Sequence, residues 1–184
     1  MVETEHTPNP DTLKFLPGKK VSEVGPVEFL KNDKSKEISL VNNIFSLNGI
    51  IMVFLGADFI TVKKEKNLRW EDLKHGIISE INDYYSKGND SVVKKDLKKA
   101  EENWSKNEEP NEVVSKINEI LDAKIRPAVA RDGGDIKFKS FDNGIVTVEL
   151  KGSCSGCPSS TMTLKQGVQN LLCHYIPEVK SVEA

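Results

Sequence analysis

Residues 132–158 read DGGDIKFKSFDNGIVTVELKGSCSGCP. Apolar and polar side chains alternate over residues 136–141 and again over residues 145–150, which is the period of a half-buried β-strand. Asp142-Asn143-Gly144 separates the two runs and is typical of a tight hairpin turn. The stretch therefore predicts an antiparallel strand pair that leads directly into a loop with two cysteines.

Helical patterns flank this hairpin on both sides. Before it, apolar residues recur every three or four positions over residues 112–129, with Pro127 near the end of the pattern. After it, a second pattern runs from Met162 to Leu172 and ends before Pro177. The order helix, hairpin, cysteine loop, helix predicts a small α+β unit.

The N-terminal part of the chain also combines strands and helices. Thr7-Pro8-Asn9-Pro10-Asp11 predicts a turn that enters a strand over residues 12–16, because proline fixes φ and Asn and Asp side chains favour turns. Helical patterns follow over residues 40–47 and 70–85, with two strands between them over residues 50–55 and 59–62. The expected fold class is α+β, as two small α+β domains.

A charged segment separates the two domains. Residues 87–110 are mostly polar and mix both signs of charge, so they are not expected to build a core. We predict a domain at residues 1–86, a charged flexible linker at residues 87–110, and a second domain at residues 111–184. A short helix over residues 92–100 is compatible with the charge spacing.

Composition excludes several classes of function. The 184 residues carry 26 basic and 28 acidic side chains, for a formal net charge of -2, which predicts no nucleic-acid binding. The longest apolar stretch, residues 49–57, is about half of the roughly 18 residues that a membrane helix needs, so no membrane insertion is expected. The N-terminus lacks the pattern of a secretory signal or a transit peptide, which predicts a cytoplasmic protein or a processed form.

The cysteine loop carries the chemistry. Cys154 and Cys157 are spaced so that both sulfurs can reach one metal ion. Pro158 suits the first position of a helix, whose N–H groups and positive dipole end would face the thiols and lower their pKa. Because a thiolate is both a metal ligand and a nucleophile, two interpretations stay open: half of a tetrathiolate metal site, or the dithiol of a thiol–disulfide oxidoreductase.

Ligand counting favours a site shared between two copies of the chain. A 4Fe–4S cluster or a tetrahedral zinc ion takes about four protein ligands, and the chain offers one close pair among its three cysteines. Two loops facing each other across a twofold axis would supply four thiolates in a homodimer. A zinc clip within one chain lacks a second pair, and an oxidoreductase is expected to carry its CxxC in a βαβ unit rather than after a hairpin.

Other reactive side chains have structural interpretations. Cys173 lies near the end of an apolar helical pattern and is interpreted as a small buried hydrophobe. His174 suits the last turn of a helix, where its charge complements the dipole. Asp132 and Asp135 are interpreted as turn residues with local hydrogen bonds rather than as a catalytic pair, and Trp70 as a core residue. No enzymatic activity is expected.

Both domains resemble one known architecture. VARDGGD at residues 129–135, LKGSCSGCPSS at residues 150–160 and HYIPEV at residues 174–179 resemble the NifU C-terminal (Nfu-type) domain. TPNPDTLKFLPG at residues 7–18 and FLGADFITV at residues 54–62 resemble the N-terminal domain of Nfu scaffold proteins. The long charged linker departs from that architecture.

The resemblance implies an iron–sulfur cluster carrier. Such a protein holds a 4Fe–4S cluster, or as an alternative a 2Fe–2S cluster, between two protomers through the two loop cysteines, which are Cys154 and Cys157 here. It receives the cluster from an upstream donor and passes it to apo iron–sulfur client proteins. The expected location is the bacterial cytoplasm, or the mitochondrial matrix for a processed form. The first domain, which has no cysteine, is expected to dock client or donor proteins, with the linker raising the local concentration of cluster.

Overall fold

The computed structural model describes residues 1–33, 38–94, 111–155 and 158–184. Helices and strands both occur throughout these residues, which confirms the α+β fold class. The chain divides into two compact units, Met1–Glu101 and Glu102–Ala184, each with its own hydrophobic core. Among the described helices, none is long and apolar enough to cross a lipid bilayer.

The first unit is built on a five-stranded antiparallel sheet with the order β1-β2-β5-β4-β3. Its strands are β1 (Glu3–His6), β2 (Thr12–Leu16), β3 (Val27–Leu30), β4 (Ile50–Leu55) and β5 (Ile60–Lys64). The sequence predicts the three central strands, which are mostly buried. The sequence does not predict the two edge strands, β1 and β3, because each has four largely solvent-accessible residues and no clear alternation.

In the described residues of this unit there are also two helices, α1 (Ser39–Ser46) and α2 (Trp70–Ser86). Their apolar faces meet the sheet in a core whose members include the fully buried Phe15, Ile44 and Ile77. Trp70 packs against this core with its ring edge toward Phe15, 6.4 Å between ring centroids. Its indole N–H donates to the carbonyl oxygen of Pro10 at 3.1 Å, which ties the Pro10 turn to α2. Trp70 is therefore partly buried at the edge of the core, rather than inside it as the sequence suggests.

Part of the predicted linker belongs to the first core. Val92 and Val93 are 5% and 4% exposed and pack among the buried residues of the first unit. Their N–H groups donate to the carbonyl oxygen of Val21 at 2.8 and 3.0 Å, and Val93 forms a parallel bridge with Ser22. The expectation that residues 87–110 build no core is therefore wrong for Val92 and Val93. The rest of that segment, from residue 95 to residue 110, lies outside the described residues.

The second unit begins with a helix that changes its winding. The sequence predicts one helix over residues 112–129; the structure has α3 (Glu112–Ile120), a π-helical turn (Leu121–Ile125) and α4 (Arg126–Arg131). Asn111 caps the start, where its side-chain oxygen accepts from the Val113 N–H at 3.0 Å. Pro127 explains the wider turn, because proline has no N–H for the ladder and its ring crowds the carbonyl of the preceding turn.

A three-stranded sheet with the order β6-β7-β8 completes the second unit. The predicted hairpin is confirmed as β6 (Gly134–Asp142) and β7 (Ile145–Gly152), which pair antiparallel with Asp142 opposite Ile145. Helix α5 (Pro158–Tyr175) follows, and β8 (Ser181–Glu183) then pairs parallel to β7. The cysteine loop thus lies within a β7-α5-β8 unit, so the expectation that it lacks a βαβ context is wrong. The sequence missed β8 because it has only three residues, of which one, Val182, is buried.

Candidate functional site

Cys154 lies at the edge of the second core, two residues after β7 ends. Gly152 ends the strand with a φ of 71°, a left-handed conformation that favours glycine. The Ser155 N–H then donates to the Gly152 carbonyl oxygen at 3.2 Å, which turns the chain. Cys154 is 5% exposed and belongs to the buried cluster of the second unit. Its side chain is more buried than a loop position suggests.

Gly134 provides the space that Cys154 occupies. A Cβ atom at Gly134 would lie 2.9 Å from the Cys154 Sγ atom and 2.6 Å from the Lys151 carbonyl oxygen. Both distances are shorter than ordinary van der Waals contact. The second glycine of the Asp132-Gly133-Gly134-Asp135 turn is therefore required by the position of the cysteine side chain. The sequence predicts this stretch as a turn but not its contact with Cys154.

Ser153 and Thr161 fasten the loop from both sides. The Ser153 hydroxyl donates to the Asp132 carbonyl oxygen, and its N–H donates to the Gly133 carbonyl oxygen at 3.2 Å. The Thr161 hydroxyl donates to the Cys154 carbonyl oxygen at 3.3 Å. The described half of the loop is therefore held by the turn before β6 and by the first turns of α5. Sequence reasoning missed both hydroxyls, although small polar residues beside a CxxC are a usable signal for such anchors.

Asp135 forms an ion pair with Arg126 rather than a local turn bond. The guanidinium Nε and Nη2 atoms of Arg126 donate to the two carboxylate oxygens of Asp135 at 3.0 and 3.1 Å. The Asp135 side chain is 4% exposed, and Arg126 also contacts the exposed Asp122 at 2.9 Å. The hydrogen bond to Asp135 raises the pKa of Arg126 above its usual value, with a smaller contribution from Asp122 and an opposing one from burial. The interpretation of Asp135 as a locally bonded turn residue is therefore wrong, because its carboxylate joins β6 to α4.

Two comparisons with known proteins cover almost the whole chain. Residues 2–88 match the family described as "Scaffold protein Nfu/NifU N terminal", and residues 117–183 match the "NifU-like domain". A human protein named "NFU1 iron-sulfur cluster scaffold homolog, mitochondrial" is 44% identical over 99% of this chain and 70% of its own length. The chain belongs to the Nfu/NifU-like family. The resemblance stated from the sequence is confirmed.

The chain is also similar to a plant relative of the Nfu/NifU-like family and to one solved structure. "NifU-like protein 4, mitochondrial" from Arabidopsis thaliana is 42% identical over 99% of this chain, and the chain spans 65% of the length of that protein. Among solved structures, a solution NMR structure of a NifU-like protein from Saccharomyces cerevisiae has a TM-score of 0.48 and 24% identity, and the match covers 52% of this chain and 85% of that one.

The structure describes one of the two cysteines that the Nfu/NifU-like resemblance assigns as ligands. Cys154 is described above, whereas Cys157 lies outside the described residues. Helix α5 begins at Pro158 as predicted, while the lowered pKa of the thiols stays a prediction. Within residues 1–33, 38–94, 111–155 and 158–184, no group of three or more His, Cys, Asp or Glu side chains could hold a metal ion.

Cys173 and His174 fit their structural interpretations. Cys173 is partly buried and packs against the second core, as expected of a small hydrophobe. His174 is exposed in the last turn of α5, with its ring edge-on to Tyr175 at 5.0 Å between centroids. Neither belongs to a group of metal-ligating side chains in the described part of the chain.

Proposed function

We propose that this protein carries an iron–sulfur cluster, a 4Fe–4S cluster held between two copies of the chain, and transfers it to apo iron–sulfur proteins. Cys154 and Cys157 of each copy supply the four thiolates. One observation carries the proposal. The chain matches both Nfu/NifU-like domains, and it holds Cys154 before a helix N-terminus, through the bond of Ser153 to the Asp132 carbonyl oxygen and the bond of Thr161 to the Cys154 carbonyl oxygen.

A shared site explains how a cluster can be both held and released. Two thiolates from one chain do not complete the ligand set of a 4Fe–4S cluster, so the second copy is part of the site. During transfer an acceptor thiol loses its proton as its sulfur binds iron, and the departing cysteine thiolate gains a proton. Each exchange then leaves the total charge of the site and the coordination number of the iron unchanged.

The position of Cys154 adds a condition to this proposal. With 5% of the residue exposed, the sulfur must turn outward before it can share a cluster with a partner copy. The hydrogen bonds that fasten the loop act on the Ser153 side chain and on backbone atoms of residues 153 and 154. A change of the Cys154 side-chain rotamer therefore leaves these bonds in place and breaks the 4.0 Å contact between its Sγ atom and the Ser153 hydroxyl.

We extend the proposal to location and division of labour. The human and Arabidopsis relatives are named as mitochondrial proteins, which supports the mitochondrial alternative over a bacterial cytoplasmic location. The first unit, without cysteine, docks donors or clients, and the second unit holds the cluster. Each unit has its own core, which supports this separation.

Reconstitution tests the proposal directly. After anaerobic incubation with iron and sulfide, we expect about one 4Fe–4S cluster per dimer, hence about two iron atoms per chain, by absorption, iron analysis and native mass spectrometry. Cys154→Ser and Cys157→Ser should each abolish the cluster. Cys173→Ser is the matched control and should retain it, with a packing cost of about 1 kcal/mol at most. Iron binding that survives in the Cys154 variant, or that fails in the Cys173 variant, contradicts the assignment of ligands.

A thiol–disulfide oxidoreductase is the second candidate, and one observation favours it. The cysteine loop joins β7 to α5 within a parallel β7-α5-β8 unit, the setting in which a redox-active CxxC is expected. Such a protein would act as a monomer and bind little iron. Catalysis of insulin reduction by the protein without added metal, and its loss in Cys154→Ser, would favour this candidate over the carrier.

A further inference from the structure

Cys154 has a place inside the second core, although a shared cluster needs its sulfur at the surface. With 5% of the residue exposed, it belongs to the same buried cluster as Ile136, Val148 and Val168. Its Sγ atom lies 4.0 Å from the hydroxyl oxygen of Ser153. A cysteine in such a position behaves as a small hydrophobe. The side chain therefore has two alternative positions, this inner one and an outer one in which its sulfur would bind iron.

Gly134 keeps the inner position open. A Cβ atom there would lie 2.9 Å from the Cys154 Sγ atom and 3.4 Å from the Cys154 Cβ atom, and 2.6 Å from the Lys151 carbonyl oxygen. The φ angle of Gly134 is not positive, in contrast to those of Gly133 and Gly152, which are 81° and 71°. Space, rather than backbone conformation, therefore requires glycine at this position, and part of that space holds the cysteine side chain.

We propose that the inner position competes with the cluster for Cys154 and thereby sets how long the carrier keeps its cargo. The inference rests on the proposed carrier function and makes Gly134 a positioning residue for cluster release. When an acceptor cysteine replaces Cys154, the acceptor sulfur binds the iron, the bond between the iron and Cys154 breaks, and the proton of the acceptor thiol passes to the Cys154 sulfur. No electron is transferred. The product is a neutral thiol, which an apolar core accepts far more readily than a thiolate.

Entry of the thiol into the core favours release over rebinding. A sulfur that stays at the surface can bind the iron again at once, whereas a sulfur that has turned inward must first turn out. A ligand that binds only the outer state has its apparent affinity reduced by the fraction of chains in that state. Because two copies share the cluster, this fraction enters twice. A preference of about tenfold for the inner position would therefore weaken cluster binding by about 100-fold.

The first measurement asks whether the inner position is occupied in solution. The cluster-free, reduced wild-type chain is treated with iodoacetamide, and alkylation of Cys154 is read by mass spectrometry against the same chain in denaturant. We expect a rate at least about tenfold lower in the folded protein, because reaction requires the sulfur to turn outward. Equal rates would overturn the inference, since no inner state would then compete with the cluster.

Gly134→Ala and Gly144→Ala form a matched pair for the second measurement. Both add a methyl group to the β6–β7 hairpin, but Gly144 lies in the turn at the opposite end from the cysteine loop. A Cβ atom at Gly144 would lie 2.9 Å from the Lys180 side chain and 3.1 Å from the Glu178 carbonyl oxygen, and its φ of 82° disfavours alanine. Both variants should therefore lose stability, whereas only Gly134→Ala closes the inner position.

Cluster retention separates the inference from a purely structural role of Gly134. The loaded wild type and both loaded variants are mixed with an excess of an iron chelator, and the cluster absorption is followed. We expect a half-life at least about fivefold longer in Gly134→Ala than in the wild type, and an equal or shorter one in Gly144→Ala. An unchanged or shorter half-life in Gly134→Ala, or the same lengthening in both variants, would overturn the inference.

A third measurement on the wild type decides the question if Gly134→Ala fails to fold. The cluster is released by the chelator in the presence of iodoacetamide, at a reagent concentration that alkylates most of a cysteine peptide added to the same mixture. A sulfur that turns inward on release escapes the reagent, so we expect less than about one tenth of Cys154 to be alkylated when release is complete. A burst of alkylation at Cys154 would overturn the inference, because the released sulfur would then have stayed at the surface.

Iron loading separates this inference from the carrier proposal. If the wild type takes up no cluster, the carrier proposal fails and the inference fails with it, whatever the alkylation rate of Cys154. If the wild type takes up cluster but Cys154 alkylates as fast as in denaturant, or Gly134→Ala keeps the cluster no longer than the wild type, only the inference about the inner position fails.

Discussion

Gly134→Ala should disturb the cysteine loop through a steric clash. The added methyl group would lie 2.6 Å from the Lys151 carbonyl oxygen and 2.9 Å from the Cys154 sulfur. Reaching ordinary separation requires shifts of about 0.5 to 1 Å. One of the two obstacles is backbone within the β6–β7 pair, so the strain cannot relax by rotation of a side chain alone. We expect a loss of about 2 to 3 kcal/mol in the stability of this unit.

The assay is the rate at which iodoacetamide alkylates Cys154 in the cluster-free full chain, read at the residue by mass spectrometry. Cys154 is 5% exposed, so its reaction is limited by local opening. A loss of about 2 kcal/mol raises the open population, and with it the rate, by about 30-fold. Hydrogen exchange of peptides from β6 and β7 should accelerate to a similar extent. This readout reports on the second unit alone, so the unfolding of the two units need not be fitted as one transition.

Gly167→Ala is the matched control. It lies in α5, and a Cβ atom there meets nothing within 4 Å. Alanine should stabilise the helix by about 0.5 to 1 kcal/mol and leave the alkylation rate within about twofold of the wild type. If the Gly134 variant alkylates as slowly as the control and exchanges no faster, the steric argument is refuted.

Three further predictions concern single contacts. Arg126→Gln should lower the stability of the second unit by about 2 kcal/mol, because the buried Asp135 carboxylate loses the guanidinium that binds both of its oxygens. Arg126→Lys should recover part of this loss. Equal rates of hydrogen exchange in β6 for the wild type and both variants would contradict the prediction. Tyr85 has its pKa raised from 10.0 to about 12, first by burial and then by Tyr84, so the first unit should keep full stability below pH 10 and lose up to about 2 kcal/mol as pH rises toward 12. Denaturant unfolding followed by tryptophan fluorescence should show a smaller fall in Tyr85→Phe than in the wild type, because Tyr84, whose pKa is also raised by burial, remains in that variant, and an equal fall in both would exclude Tyr85 as its cause. Val93→Ala should lower the free energy of unfolding of the first unit by about 1 to 2 kcal/mol in the same assay. An unchanged free energy of unfolding would mean that Val93 does not stabilise the core.

Local pattern accounts for what the sequence predicts well. The β6–β7 hairpin rests on two alternating runs and an Asn-Gly turn, in which Asn143 and Gly144 take positive φ values of 50° and 82°. The start of α5 follows from a single proline, and the central strands of the first sheet from continuous apolar runs. In each case neighbouring residues carry the whole signal.

Contacts between distant residues account for what the sequence does not predict. Asp135 sits in a sequence typical of a local turn, and only the path of α4 brings Arg126 to within 3.0 Å of it. Val92 and Val93 lie in a segment whose average composition is polar, so two buried side chains do not stand out. Strand β8 pairs with β7, from which it is separated in the sequence by helix α5, and its three residues are too few to show the alternation of a strand. The burial of Cys154 likewise depends on Gly134, which lies 20 positions earlier in the chain and across a strand pair.

The parallel pairing of β8 with β7 also sets an order of events during synthesis. The core residues of the first unit that the structure describes, up to Val93, have left the ribosome long before Ser181–Glu183 are translated. The second sheet can close only after those last residues emerge, because Val182 is fully buried against it. A nascent chain can therefore present a finished first unit while the cysteine loop is still being made, and a chain cut short before Ser181 would have cysteines without the strand that completes their sheet.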